Sequence, residues 1–304
     1  MRAIGVTGPG GPEVLEVVEL PDPQAGPGQV RIRVHAAAVN PTDTLLRSLA
    51  ERQRGEGPYV PGMDVGGVVD QVGAGVDHVA VGDAVMAIVV PLGSHGGYSS
   101  AVVVPSGSVV PAPADHALSA TLPMNGLTAR RALDLLDPPA GAVVGVTGAA
   151  GAFGGYVVQL AKAAGLRVVA DASEADDSLV RDLGADVVVR RGDDVAERFR
   201  EAGGVDVLAD GSLQGDALLP AVRDGGRIAT VRGHVGRDER GITWHPVVVR
   251  DIAEDRDRLD HLRELASAGA ITLRVADTYP AERAAEAHAR LEKGGVRGRL
   301  ILTF

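Results

Sequence analysis

Cysteine is missing from this chain of 304 residues. Its absence removes disulfides, iron–sulfur clusters, thiolate zinc sites and cysteine nucleophiles together. Aromatic residues are scarce, at 3%, and Trp244 is the single tryptophan. Positive charge is in deficit: 30 Lys and Arg stand against 40 Asp and Glu, a formal net charge of −10. Nucleic acid and anionic membrane would be repelled on average, so neither is expected as the main partner. No apolar run reaches the roughly 18 residues of a membrane-spanning helix, and none is expected. The opening MRAIGVTGPGG reads as a short strand and a Gly/Pro turn, without the apolar core of a secretory signal. A cytoplasmic location is the resulting expectation.

Glycine, by contrast, is abundant at 41 residues, which favours tight turns and close backbone approaches. The length suits two domains, since single cores seldom grow beyond roughly 200 to 250 residues. The first hundred residues read as all-β. Val30, Ile32 and Val34 alternate with Arg31, Arg33 and His35, the period of a half-buried strand. Further strands are expected at Val65–Val72, Ala84–Val90 and Tyr98–Val104, with a helix at Thr42–Arg54. A helix through Leu127–Leu136 ends at Pro138-Pro139. From Ala142 to Val231 strands alternate with helices, the pattern of a doubly wound parallel sheet. A helix at Leu259–Ala268, a strand at Ile271–Val275, a helix at Ala281–Lys293 and a strand at Leu300–Phe304 complete the expectation.

The densest motif is Val143-Val144-Gly145-Val146-Thr147-Gly148-Ala149-Ala150-Gly151-Ala152-Phe153-Gly154. Gly148 permits a tight turn, Gly151 lets backbone approach a pyrophosphate, and Gly154 lets the helix lie close on the strand. A side chain at Gly151 is expected to fill the pyrophosphate's space and to oppose a positive φ. The spacing is Gly-x-x-Gly-x-x-Gly, so tight packing alone is the competing explanation. Asp171 follows Gly148 by 23 residues, at the end of the strand Leu166–Ala170. A carboxylate there, about 20 residues past the turn, would accept ribose hydroxyls of a dinucleotide.

These segments together resemble the zinc-independent, quinone oxidoreductase-like branch of the medium-chain dehydrogenase/reductase superfamily. The likeness rests on Ala36-Ala37-Ala38-Val39-Asn40-Pro41-Thr42-Asp43, Pro61-Gly62-Met63-Asp64-Val65-Gly66-Gly67, Asn125-Gly126-Leu127-Thr128-Ala129, the glycine turn, Leu183-Gly184-Ala185-Asp186 and Gly298-Arg299-Leu300-Ile301-Leu302. It implies an α/β protein: a GroES-like β domain (residues 1–117 and 269–304) and a Rossmann doubly wound parallel sheet (118–268). It implies NAD(P)H-dependent transfer of hydride to a quinone or conjugated carbonyl. Zinc-dependent relatives carry Cys or His where this chain has Asn40, Met63 and Met124. An amide and two thioethers do not make a zinc site, so none is expected.

The resemblance places Asn40 and Thr128 beside the nicotinamide and the substrate. It assigns Gly148, Gly151, Ala152, Phe153, Gly154, Asp171, Ser173, Arg191 and Val231 to the cofactor as well. Asn40 before Pro41 is equally suited to hold a turn, and Thr128 to back-bond its own helix. Asp171, and Asp176 beyond it, favour NADH, while Arg191 would suit the 2′-phosphate of NADPH. Ser173 with Asp176 also has the spacing of a capping box. Tyr59, His95, Tyr98 and His245 lie on segments near the expected site, with no sequence partner to make one a general acid. Trp244 reads as a packing or dimer residue. A homodimer is expected from the apolar run Val247-Val248-Val249, taken as an exposed edge strand. Two other functions remain open: an enoyl reductase for conjugated thioesters, and a dinucleotide-binding sensor without turnover.

Overall fold

The computed structural model describes residues 1–6, 8–49 and 57–304, so residues 50–54 of the expected first helix lie outside it. The chain forms two compact units, 1–124 with 250–267 and 273–304, and 125–249 with 268–272.

The first unit begins with β1 (Arg2–Val6), β2 (Leu15–Glu19), β3 (Gln29–Val39), α1 (Pro41–Ser48), β4 (Asp64–Val72), β5 (Ala84–Ile88), β6 (Ala101–Pro105), β7 (Val109–Pro111) and α2 (His116–Ser119). β3 is the hub. Its residues Val30, Ile32 and Val34 are buried, whereas Arg31 reaches outward to Asp70 at 2.7 Å. The alternation read from the sequence is therefore an inside–outside alternation, each buried aliphatic adding about 1.5–3 kcal/mol. α1 starts cleanly because Pro41 occupies its first turn and the Asp43 carboxylate accepts from Asn40 N at 2.8 Å.

The second unit contains α3 (Pro123–Leu136, entered from the first), β8 (Val143–Thr147), α4 (Ala152–Ala163), β9 (Arg167–Ala172), α5 (Asp177–Asp182), β10 (Val187–Arg190), α6 (Val195–Glu201), β11 (Val205–Asp210), β12 (Val222–Thr230) and β13 (Thr243–Pro246). Its six strands are all parallel, in the order β10-β9-β8-β11-β12-β13. The order runs one way from β8 to β10 and then reverses, so β8 and β11 flank the point of reversal. Ligands of such sheets bind outside the carboxyl ends of the strands at that point.

The chain then rejoins the first unit with α7 (Arg256–Ser267), β14 (Val275–Pro280), α8 (Ala284–Glu292) and β15 (Arg299–Thr303). β15 runs antiparallel to β3, pairing Leu302 with Ala37, and carries β14 on its other side. Two strand expectations are corrected. Residues Ile271–Arg274 are not strand; β14 starts at Val275 and runs through Asp277-Thr278-Tyr279, a largely exposed edge whose polar residues hide the strand pattern. Val247-Val248-Val249 is not a strand either. The edge strand is the preceding Thr243–Pro246, after which the chain turns into a short 3-10 helix at Val249–Ile252.

Candidate functional site

The glycine turn of the second unit joins the end of β8 to α4. Gly148 has φ +67°, the left-handed region, so the tight turn does require glycine there. A Cβ on Gly154 would strike Gly148 O at 2.4 Å and Ala149 Cα at 2.8 Å; this is the glycine that lets helix and turn close. Gly151 differs from both. Its φ is −73°, so the expected opposition to a positive φ does not apply; the strained conformation belongs to Gly148. A Cβ on Gly151 would approach only Gly148 O, at 3.1 Å. That contact is tight but single, so Gly151 is far less crowded than Gly154.

Ala152, Phe153 and Gly154 form the first turn of α4, whose positive end suits a phosphate anion. Val157, Val158 and Ala161 anchor that helix in the core. Asp171, on β9, is 4% exposed, and its Oδ1 accepts from Ala149 N at 3.2 Å, so it reaches back onto the glycine turn. Burial pushes its carboxyl up, opposed by the N–H groups of Ala149 and Gly148 and by the charge of Arg191. Arg191 is exposed, with its N–H bonded to Ala172 O. Ser173 donates its hydroxyl to Asp176 Oδ2 at 2.5 Å, replacing the side-chain-to-backbone bond of the expected capping box. Val231 follows β12, half-buried, and Thr128 lies buried on α3.

One contributor escaped the sequence reading. Asp210 ends β11 and organises the neighbouring turn. Its Oδ1 accepts from Thr147 Oγ1 at 2.8 Å and Ser212 N at 3.1 Å, and its Oδ2 from Gly215 N at 2.9 Å. This fastens the loop after β11 to the end of β8. The signal was Asp210-Gly211-Ser212 closing an apolar strand, which repeats in outline the strand–glycine pattern of the first turn.

In the first unit, Asn40 is fully buried and its amide is held at both ends. Nδ2 donates to Asp64 Oδ2 at 2.7 Å, and Oδ1 accepts from the Arg299 guanidinium. A carboxylate only accepts and a guanidinium only donates, so the orientation of the amide is determined. Asp64 Oδ1 also accepts from Met124 N at 2.5 Å. Burial pushes Asp64 up to about 6, with Arg299 pulling the other way. Asp43 is pushed by burial up to about 7. Tyr59 is 3% exposed, its hydroxyl has no partner among the described residues, and burial raises its pKa. His95 is lowered by burial, and His245, in the second unit, bonds Thr243 Oγ1 at 2.9 Å. Met63 is core and Met124 is buried. Neither thioether suits zinc, and among the described residues no group of three His, Cys, Asp or Glu could hold a metal ion. Among them, too, no helix is long and apolar enough to cross a membrane.

Comparisons with known proteins bear on both units. Residues 26–114 match the alcohol dehydrogenase GroES-like domain, and residues 183–302 match the family described as zinc-binding dehydrogenase. The quinone oxidoreductase of Rattus norvegicus is 32% identical, over 99% of this chain and 97% of its own length. A solved structure of an NAD-dependent alcohol dehydrogenase superimposes with a TM-score of 0.88 at 30% identity, covering 100% of both chains. A mycobacterial protein solved in complex with NADPH gives 0.85 at 29% identity, again covering 100% of each.

Proposed function

Because the chain belongs to the medium-chain dehydrogenase/reductase superfamily, in its quinone oxidoreductase-like branch, we propose that it passes hydride from a nicotinamide dinucleotide to a quinone or conjugated carbonyl, without zinc. The observation that carries this reading is the pair of turns at the strand-order reversal, one glycine-rich and the other fastened to it by Asp210. Gly148, Gly151, Ala152, Phe153 and Gly154 would hold the pyrophosphate, and Asp171 a ribose hydroxyl. When bound, the dihydronicotinamide supplies the hydride. Thr128 and Val231 in the second unit are the further proposed contacts to the cofactor, and Asn40 in the first is the proposed polar group toward the acceptor.

NADH is the proposed preference. Asp171 and Asp176 are both buried acids, and Ser173 is engaged with Asp176 rather than offering its hydroxyl outward. Arg191 would favour a 2′-phosphate instead. A homodimer paired along β13 is proposed as well. Among the described residues β13 pairs with no strand but β12, and Val248 just beyond it is 44% exposed.

Stopped-flow oxidation of NADH and NADPH with 1,4-benzoquinone, a 2-enone and a crotonyl thioester tests the activity. Turnover with the quinone or enone is expected. Turnover with the thioester alone would make the protein an enoyl reductase. Tight cofactor binding without turnover of any acceptor would make it a sensor.

A further inference from the structure

A hydrogen-bonded chain in the first unit has a direction dictated by its outer member. Arg47 Nη1 lies 3.0 Å from His288 Nδ1. A guanidinium only donates, so Nδ1 accepts and the imidazole proton sits on Nε2. Nε2 is 3.1 Å from Tyr98 Oη, so Nε2–H donates to the phenol oxygen. The Tyr98 proton then goes to Asp43 Oδ2, at 3.3 Å. Every bond points inward, from α1 and α8 to Asp43. Arg47 is itself pinned by Glu292, at 2.7 Å from Nη2, and by Gly10 O, at 3.1 Å from Nε.

Asp43 meets donors at both oxygens. Oδ2 takes Asn40 N and Tyr98 Oη, and Oδ1 takes Gly62 N at 3.1 Å. The charged or titratable groups around it are Asp64 from β4, Arg299 from β15, Tyr59 from the segment before β4, Tyr98 and His288. Putting a proton on Oδ2 would require Tyr98 to donate to His288 and His288 to carry its proton on Nδ1. That proton would face Arg47, donor against donor, in a buried site. Burial and the nearby Arg47 charge also oppose a second proton on the ring, holding His288 down at about 3.

We propose that Arg47 and His288 are positioning residues: by fixing the direction of this chain they keep Asp43 an acceptor, and Asp43 holds the turn that presents Asn40. The inference rests on Asn40 belonging to the reaction site.

Nitrogen-15 spectra of the imidazoles in the full chain test it, with His288 assigned by its loss in His288→Gln. Nδ1 should be unprotonated and Nε2 protonated at about pH 8 and above, where Asp43 is ionised. In Arg47→Met, a population with the proton on Nδ1 should emerge. The pH profile of kcat/KM for NADH and 1,4-benzoquinone provides the second readout. Arg47→Met and His288→Leu should each raise the acid limb by roughly half a pH unit or more, because Asp43 then takes a proton more easily. His288→Gln, which can accept from Arg47 and donate to Tyr98, should bring the limb back to the wild-type position. A wild-type His288 protonated on Nδ1 at about pH 8, or unchanged profiles in both Arg47→Met and His288→Leu, would overturn the proposal. If the wild type shows no turnover at all, the reading of the reaction site fails, while the imidazole spectra still decide the direction of the chain.

Discussion

Gly148 and Gly211 face each other across the point where the strand order of the second unit reverses. A Cβ added to Gly148 would lie 3.0 Å from the carbonyl carbon of Gly211. One added to Gly211 would meet Thr147 O at 2.7 Å and the Phe153 ring at 3.0 Å. Two turns from adjacent parallel strands are thus in backbone contact, and the space outside them is where the dinucleotide is proposed to bind.

The three glycines of the first turn should separate by experiment. Gly151→Val adds bulk against one backbone neighbour only, Gly148 O, so NADH affinity should drop about tenfold or more with a smaller loss of stability than in Gly154→Val. Gly154→Val drives a side chain into Gly148 O, and overpacking there should cost roughly 1–3 kcal/mol of stability. Fluorescence titration with NADH beside thermal melts checks both. Equal loss of stability in the two variants would mean that Gly151 is a packing residue.

Cofactor preference should turn on Asp171. In Asp171→Ser the ratio of kcat/KM for NADPH over NADH should rise about tenfold, equivalent to about 1.4 kcal/mol. A wild type that prefers NADPH, with no change in the variant, would show that Asp171 does not meet the ribose.

The buried acids make a signed prediction for stability. Asp64 moves from an ordinary 3.8 up to about 6, and Asp43 up to about 7. A carboxyl whose folded value is raised binds a proton more tightly in the folded state. Its contribution is full below 3.8 and is lost as pH rises through the folded value. Wild type should therefore lose stability relative to Asp64→Asn between about pH 4 and 7, by an amount on the order of 1–3 kcal/mol. Urea midpoints at several pH values measure the difference. A gain with rising pH would contradict the burial of this carboxyl.

Metal independence is predicted from the side chains Asn40, Met63 and Met124. Purified protein should carry no stoichiometric zinc, and a chelator should leave turnover with NADH unchanged. Elemental analysis near one zinc per chain, with activity lost on chelation, would defeat the expectation.

For the dimer, sedimentation at micromolar concentration should give twice the 31.1 kDa of one chain. A single 31.1 kDa species would remove β13 as a pairing edge.

Much of the scaffold could be read in advance where burial is one-sided or complete. β3 announced itself through Val30, Ile32 and Val34, and the glycine turn through three glycines after an apolar strand. β14 did not, because an edge strand pairs on one side only and tolerates Asp277 and Thr278. Val247-Val248-Val249 misled for the opposite reason: a β-branched run resembles a strand wherever it lies, yet here the ladder had already been made by Thr243–Pro246. The chain from Arg47 through His288 and Tyr98 to Asp43 left no local trace. Its members are up to 245 residues apart in sequence, counted from Asp43 to His288, and they meet only when α8 and the segment carrying Tyr98 pack beside α1.

The pairing of β3 with β15 carries a consequence for synthesis. Arg299 bonds Val39 O across 260 positions of chain, and residues 36–39 of the hub strand stay unpaired on one side until β15 has been made. The six strands of the second unit lie within residues 143–246 and can close earlier. Such long-range closure is slow, and an unpaired apolar strand is prone to aggregate while it waits. Between completion of β13 at residue 246 and synthesis of β15 from residue 299, the nascent chain thus holds one complete sheet and one open edge.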